Sequence, residues 1–168
     1  APIMNAISNC GFKTFVFNDI SNVYKMLEGI TSSSIRGNNT TYVFTTDLLD
    51  NSIYGLANSY IDAISILNDI NGLSLYRVAD AIGAFRNILE TSSTNAIALS
   101  KKKVPVLKGT DATSFNNGGY KVRESLDKPY GILISTGRQL YKAIDIANRL
   151  EVKGIYLDVV SMPNLNKF

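Results

Sequence analysis

The sequence contains no histidine and only one cysteine, Cys10, among its 168 residues. Without histidine, neither a Ser-His-Asp triad nor a Cys-His nucleophile can form. A single cysteine excludes an internal disulfide framework and favours a reducing compartment, with Cys10 as a buried spectator thiol rather than a nucleophile. The sequence also lacks cysteine-pair metal motifs and a glycine-rich phosphate loop. Enzyme classes that depend on any of these features are therefore excluded.

Charge clusters and long apolar runs are also sparse. Charged residues make up 18% of the chain and the net charge is +3. The one compact basic cluster, Lys101-Lys102-Lys103, is narrower than the basic face of most nucleic-acid-binding proteins. No apolar run approaches the roughly 20 residues of a membrane span, and no charged segment precedes a long apolar stretch at the N-terminus. We expect a soluble cytoplasmic protein that binds neither nucleic acid nor membrane.

The sequence does contain short apolar runs that alternate with helical stripes. Six runs have strand character, at residues 14–17, 42–45, 73–78, 96–99, 132–135 and 155–160. Several of these runs are continuously apolar, which is typical of strands buried on both faces. Apolar residues at helical spacing occur at residues 23–30, 61–67, 81–89 and 140–150. This order predicts an α/β fold with a mainly parallel sheet and helices on both faces.

Two stretches interrupt the alternation. Residues 31–41 are polar and rich in turn formers, which predicts a surface loop. Residues 104–128 contain proline and several glycines with few periodic apolar residues, which predicts an interdomain linker. The linker would join a domain over residues 1–103 to a single β-α-β unit over residues 129–168. Because such a unit leaves strand edges unpaired, we expect the chain to be cut short or to be completed by another chain.

Five short motifs in this sequence resemble, in order, motifs of the transketolase family. They are Tyr42-Val-Phe-Thr-Thr-Asp47, Arg77-Val-Ala79-Asp80, Ala98-Leu-Ser-Lys101, Ile134-Ser-Thr-Gly137 and Val159-Val-Ser-Met-Pro163. The first two resemble the family's Tyr-Val-Phe-Thr-His-Asp and Arg-Pro-Ala-Asp, and the spacing between them is kept without a gap. The resemblance runs from about Met4 to Phe168. It implies a pyrimidine-type domain of a thiamine diphosphate enzyme, followed by the start of the C-terminal domain.

The resemblance also implies an activity. Transketolases of the pentose phosphate pathway transfer a two-carbon ketol unit between sugar phosphates, using thiamine diphosphate and Mg²⁺. The family uses several histidines that this chain lacks, and its thiamine-activating glutamate would fall at Ala1 when extrapolated from Met4-Asn-Ala6-Ile7. The family motif that holds magnesium and the diphosphate lies in a separate domain that is not in this sequence. The resemblance therefore implies a degenerate or truncated member, which as this chain alone is inactive and does not bind the cofactors.

Three candidate substrate contacts follow from the resemblance to two family motifs, Tyr-Val-Phe-Thr-His-Asp and Gly-Pro-Thr-His-Gln. Asp47 matches an aspartate that contacts sugar hydroxyls, although an aspartate here also suits a turn or helix cap. Thr46 stands in place of a substrate-phosphate histidine, and keeps a hydrogen bond without the charge. Asn58, in Gly55-Leu-Ala-Asn58-Ser59, stands where the family's Gly-Pro-Thr-His-Gln has its histidine. An amide cannot shuttle a proton at neutral pH, so a helix N-cap is the alternative role for Asn58.

Two further candidates follow from the same resemblance. Lys101 replaces a phosphate-binding arginine. Lysine keeps the positive charge, but its ammonium is a point charge and cannot form the paired hydrogen bonds of a guanidinium group. The alternative is that Lys101 belongs to a solvated strand end. Phe17 corresponds to an aromatic residue that packs on the aminopyrimidine ring of the cofactor, and its alternative role is that of a core phenylalanine.

Three overall interpretations remain open. In a split enzyme, a second chain carries the diphosphate-binding domain, and Asp47 and Lys101 orient the substrate. In a non-catalytic interaction subunit, the chain keeps only the surfaces of the fold that form a homo- or hetero-oligomer. The β subunit of a 2-oxo acid dehydrogenase shares the expected fold, but it fits the Tyr-Val-Phe-Thr-x-Asp and Val-Ser-Met-Pro matches less well.

Overall fold

The computed structural model describes residues 2–45, 57–103, 107 and 118–167, without the side chains of residues 57–62. The chain forms two compact units. The first consists of Ala1–Tyr76 and Ile88–Lys103, and the second of Arg77–Asn87 and Val104–Phe168.

In the described part of the chain, the first sheet has four strands, in the order β1-β2-β4-β3. Its strands are β1 (Thr14–Asn18), β2 (Thr40–Phe44), β3 (Ser74–Arg77) and β4 (Asn95–Ala98). The helices along this part of the chain are α1 (Pro2–Asn9), α2 (Val23–Ile35), α3 (Ala57–Asn68) and α4 (Ala81–Glu90). Strands β1 and β4 both pair with β2 in parallel. Strand β2 is therefore central, and all five of its residues are buried, as expected for an inner strand of a parallel sheet.

A buried tyrosine joins three elements of the first unit. The Tyr42 hydroxyl of β2 donates to Asn5 Oδ1 at 3.0 Å and to the Gly29 carbonyl oxygen at 3.2 Å. Asn5 Nδ2 of α1 donates to the same Gly29 carbonyl of α2 at 2.9 Å. Burial raises the pKa of Tyr42 above its usual value. Helix α1, helix α2 and strand β2 are therefore joined by hydrogen bonds as well as by apolar packing.

The polar stretch 31–41 is not a surface loop, so that prediction is wrong. Helix α2 and strand β2 occupy most of it, and Ser33 and Thr40 are completely buried. The Thr14 hydroxyl donates to Thr40 Oγ1 at 2.9 Å, and the hydroxyls of Ser33 and Thr94 share a hydrogen bond of 3.2 Å. Because these hydroxyls satisfy one another, they can lie in the interior at little cost.

Among the described residues of the second unit, three strands form a sheet in the order β5-β7-β6. Its elements are β5 (Tyr120–Arg123), β6 (Gly131–Ser135), α5 (Gln139–Glu151) and β7 (Leu157–Ser161). Strand β6 runs parallel to β7, and β5 runs antiparallel to it. Helix α5 packs on β6 and β7 around the buried residues Leu140, Ala147 and Val159.

Strand β5 lies within residues 104–128, the stretch predicted to be a linker. Two ion pairs hold the strand in the second unit: Lys121 Nζ lies 2.7 Å from Asp158 Oδ2, and Arg123 Nη2 lies 2.7 Å from Glu151 Oε2. The end of that stretch is therefore part of the second sheet. The domain boundaries themselves remain a prediction.

The two outer strands of the second sheet differ in character. Strand β5 carries the paired cations Lys121 and Arg123 and has an irregular register between them. Strand β6 has no charged residue, and in the described part of the chain it forms the other edge of the sheet. On the face of β6 opposite Leu133, which packs against the core, Ile132 is 60% exposed and Ile134 is 54% exposed. Strand β6 thus presents an apolar, uncharged edge.

The predicted α/β fold with a mainly parallel sheet is confirmed, and all six predicted strands and four predicted helices are present. Helix α1 and strand β5 were not predicted. The thiol of Cys10 is exposed, so its predicted burial is wrong. Within the described residues, no helix is both long and apolar enough to cross a membrane.

Candidate functional site

Three parallel strands of the first sheet end side by side at one edge. The register places Asn18 of β1 opposite Phe44 of β2, and Phe44 opposite Ala98 of β4. The pairing continues one residue further, because the Thr45 amide donates to the Asn18 carbonyl at 2.9 Å and the Leu99 amide donates to the Phe44 carbonyl at 2.9 Å. Open α/β sheets bind their ligands at the carboxyl ends of the strands. This edge is therefore the candidate functional site of the first unit.

Asp19 follows β1 at this edge and is held by local hydrogen bonds. Its amide donates to Asn18 Oδ1 at 2.9 Å, and its Oδ1 accepts from the Ser21 amide at 3.0 Å. Asn18 is fixed in turn, because Asn22 Nδ2 donates to Asn18 Oδ1 at 2.8 Å and Asn18 Nδ2 contacts Met26 Sδ at 3.2 Å. The Asp19 carboxylate caps a short 3-10 turn and so has a defined direction.

Lys101 follows β4 at the same edge. Its side chain is 57% exposed, and its Nζ lies 3.8 Å from Asp19 Oδ2. Because β2 lies between β1 and β4, this ion pair spans the end of β2. The structure thus places Lys101 where it can meet a ligand bound at the strand ends. An exposed ammonium group can bind an anion such as a phosphate as a point charge.

Phe17 is a surface residue of β1 with 64% of its area exposed. The alternative role as a core phenylalanine is therefore wrong. The ring lies one residue before Asn18 and presents an apolar surface on which a flat ring could stack. Contact with the pyrimidine of a cofactor remains a prediction.

The remaining candidates are only partly described. Thr46 and Asp47 lie outside the described residues and come directly after Thr45 in the chain. Asn58 is the second residue of α3, which begins at Ala57, so Asn58 lies inside the helix and its alternative role as the N-cap is wrong. The Asn58 side chain lies outside the described part, and the substrate-binding roles of all three residues remain predictions.

The segment Arg77-Val-Ala79-Asp80 has a clear structural role in the second unit. Asp80 is 5% exposed, and its Oδ1 accepts from the amides of Ile82 at 2.9 Å and Gly83 at 3.3 Å. It therefore caps the start of α4. The Arg77 amide donates to the Pro163 carbonyl at 2.7 Å. This hydrogen bond joins the family-like segment at residues 77–80 to the one at residues 159–163.

Sequence reasoning missed Asp19. The signal was available, because Asn18 and Asp19 directly follow the apolar run at residues 14–17. The same rule singled out the polar residues after β2.

The described residues alone do not fit a magnesium diphosphate group. Phe17 offers a stacking surface and Lys101 a cation, but the described part of the chain has no group of three or more metal-ligating side chains. Mg²⁺ binds through carboxylate and phosphate oxygens in near-octahedral geometry. Ligands for Mg²⁺ and the diphosphate have to come from outside the described residues.

Comparison with known proteins identifies relatives along nearly the whole chain. The family model described as a transketolase-like TK C-terminal domain matches residues 118–168. A transketolase from Streptococcus pyogenes is 30% identical over 161 residues, which is 92% of this chain and 21% of that protein. The structure of a Pichia stipitis transketolase in complex with sedoheptulose-7-phosphate is similar with a TM-score of 0.86 and 26% identity, covering 99% of this chain and 25% of that one.

A protein described as a split gene transketolase, inactive beta4 tetramer, has the same fold, with a TM-score of 0.81 and 21% identity over 98% of this chain and 53% of that chain. This chain spans about a fifth to a quarter of the length of the curated relatives it matches. Those relatives match both units and are transketolases from bacteria and yeast. The chain belongs to the transketolase family.

Proposed function

We propose that this chain is the part of a transketolase that holds the phosphate of a sugar phosphate substrate, and that ketol transfer needs residues that it does not supply. The observation that carries the proposal is the position of Lys101, an exposed ammonium at the carboxyl edge of the sheet beside the end of β2. The relative solved with sedoheptulose-7-phosphate supports a sugar phosphate as the ligand class.

The proposed contacts follow the chemistry of the side chains. Lys101 attracts the phosphate, and Thr46 donates its hydroxyl to a phosphate oxygen. Asp47 accepts hydrogen bonds from sugar hydroxyls, while Asn58 donates or accepts through its amide. Each of these groups binds or orients the substrate, and none is assigned a proton transfer.

We propose that this chain does not catalyse ketol transfer when it is alone. The sequence has no histidine, so it has no side chain whose usual pKa suits proton transfer near neutral pH. Thiamine diphosphate, when bound, supplies the electron sink that stabilises the transferred two-carbon carbanion. Phe17 is proposed to face its pyrimidine ring. The diphosphate and Mg²⁺ are proposed to be held by a partner that carries that domain, and the split-gene relative supports such a division between chains.

Titration calorimetry with sedoheptulose-7-phosphate and with unphosphorylated sedoheptulose tests the proposal. We expect the phosphorylated sugar to bind more tightly. The variant Lys101→Gln should weaken its binding about tenfold, because one charge-assisted hydrogen bond is worth about 1.5 kcal/mol. Lys103→Gln is the matched control, since Lys103 is also an exposed lysine of the same cluster, and it should change affinity little. Equal binding of both sugars, or equal losses in both variants, would contradict the proposal.

A second function is favoured by one specific observation. The apolar, uncharged edge of β6 suits an interaction subunit that keeps the fold for its surfaces. In that case the chain binds neither sugar nor cofactor, and Lys101→Gln leaves its affinity for a partner chain unchanged. Native mass spectrometry with and without thiamine diphosphate and magnesium separates the two functions by the mass of the assembly.

A further inference from the structure

The ion pair between Asp19 and Lys101 bears on how the proposed site is controlled. We propose that Asp19 is an internal counter-ion that competes with phosphate for Lys101 and so sets the anion affinity of this edge. The inference rests on the proposed function, because it concerns the same lysine. It concerns a residue that does not belong to any of the five transketolase-like motifs.

Geometry supports the competition. Asp19 Oδ2 lies 3.8 Å from Lys101 Nζ, across the end of β2. A phosphate oxygen that binds this ammonium must approach to about 2.8 Å. It would then lie within a few ångströms of the Asp19 carboxylate. Two negative charges this close repel each other, and a dianionic phosphate is repelled about twice as strongly as a monoanion.

The local structure keeps the Asp19 carboxylate near the site. Its other oxygen, Oδ1, is bonded to the Ser21 amide at 3.0 Å, and its own amide is bonded to Asn18 Oδ1 at 2.9 Å. Moving the side chain away from an incoming anion would break the cap of the 3-10 turn. Asp19 therefore opposes a bound phosphate rather than yielding to it freely.

The same contacts supply an isosteric test. Asp19→Asn keeps an oxygen for the Ser21 amide and removes the charge, and Asp19→Ser also keeps a capping oxygen. We would titrate the full chain with inorganic phosphate and follow binding by ³¹P nuclear magnetic resonance. Both variants should bind phosphate about three- to tenfold more tightly than the unmodified chain at low salt. Asp69→Asn, which removes an exposed carboxylate of the first unit beyond α3, is the matched control and should have no effect.

The double variant Asp19→Asn with Lys101→Gln isolates the proposed contact. Its phosphate affinity should fall to that of Lys101→Gln alone, because the gain requires the freed ammonium. If Lys101→Gln loses phosphate while both Asp19 variants bind like the unmodified chain, the competition is wrong and the proposed function stands. If Lys101→Gln binds phosphate as well as the unmodified chain does, both the competition and the proposed function are wrong. The same holds if neither the unmodified chain nor any variant binds phosphate or sugar phosphate.

Discussion

At the scale of single residues, Asp158 of β7 shows how one carboxylate holds distant segments together. Its side chain is only 7% exposed, and Lys121 Nζ lies 2.7 Å from Oδ2. The amide and hydroxyl of Ser125 donate to Oδ1 at 2.9 and 3.0 Å. Lys121 first, and the Ser125 amide next, lower the pKa of Asp158 from 3.8 to about 2. The ionised form is therefore favoured in the folded chain.

The lowered pKa of Asp158 predicts how the stability of the fold depends on pH. Because the folded pKa of about 2 is below the unfolded value of 3.8, the carboxylate stabilises the fold above about pH 4. That contribution is lost as the pH falls towards 2. We expect Asp158→Asn to lower the melting temperature at neutral pH, with the difference from the unmodified chain shrinking between about pH 4 and pH 2. Thermal melts over this pH series measure it.

The matched control is Asp145→Asn in helix α5. Asp145 pairs with Arg149 at 2.9 Å, but both side chains are more than half exposed. Exposed pairs of this kind contribute little to stability. The control should melt like the unmodified chain at every pH, and an Asp158→Asn curve that runs parallel to the unmodified one would refute the expectation.

At the scale of single elements, the start of α4 depends on Asp80. The buried carboxylate satisfies two amides of the first helical turn, which would otherwise lack partners. Asp80→Ala should lower the free energy of unfolding by about 0.5–2 kcal/mol, as measured by urea denaturation. Asp80→Asn keeps the capping oxygen and should recover most of the loss. Equal losses in both variants would indicate a role other than capping.

Sequence patterns predicted the elements that are apolar and missed those stabilised by polar partners. The runs at residues 42–45 and 96–99 became buried strands, as continuous apolar runs predict. Strand β5 was missed, because Lys121 and Arg123 interrupt its pattern and find their acidic partners far along the chain. Residues 31–41 were assigned to a loop, because composition does not reveal that buried hydroxyls bond one another.

The candidate site was predictable to a similar extent. The position of Lys101 at a strand end follows from the apolar run before it. The exposure of Phe17 depends on what packs against that face of β1, and the strand order is set by pairing between distant segments. The Asp19–Lys101 ion pair depends on the same order, because it joins residues on either side of β2. No local pattern contains this information.

For the molecule as a whole, the edge that β6 forms within the described residues is an aggregation risk. An exposed, uncharged, apolar edge strand is a template for association with other chains. Ile134→Lys should slow aggregation during heating, as measured by light scattering. It should change the free energy of unfolding by less than about 0.5 kcal/mol, because the side chain is exposed. Ile146→Lys changes a similarly exposed isoleucine of α5, away from any strand edge, and should slow aggregation less. Equal effects in both would show that general charge, not the edge, controls aggregation.

The central position of β2 has a consequence for how the chain acquires its structure. One edge of β2 pairs with β1, which precedes it, and the other pairs with β4, where Thr41 lies opposite Asn95. Parallel pairing across such sequence separations forms late, because the intervening chain must first be ordered. During synthesis of the chain, the second edge of β2 stays unpaired until β4 has been made. Until β4 has been made, β2 is a strand with buried side chains and one unpaired edge, which exposes it to misfolding.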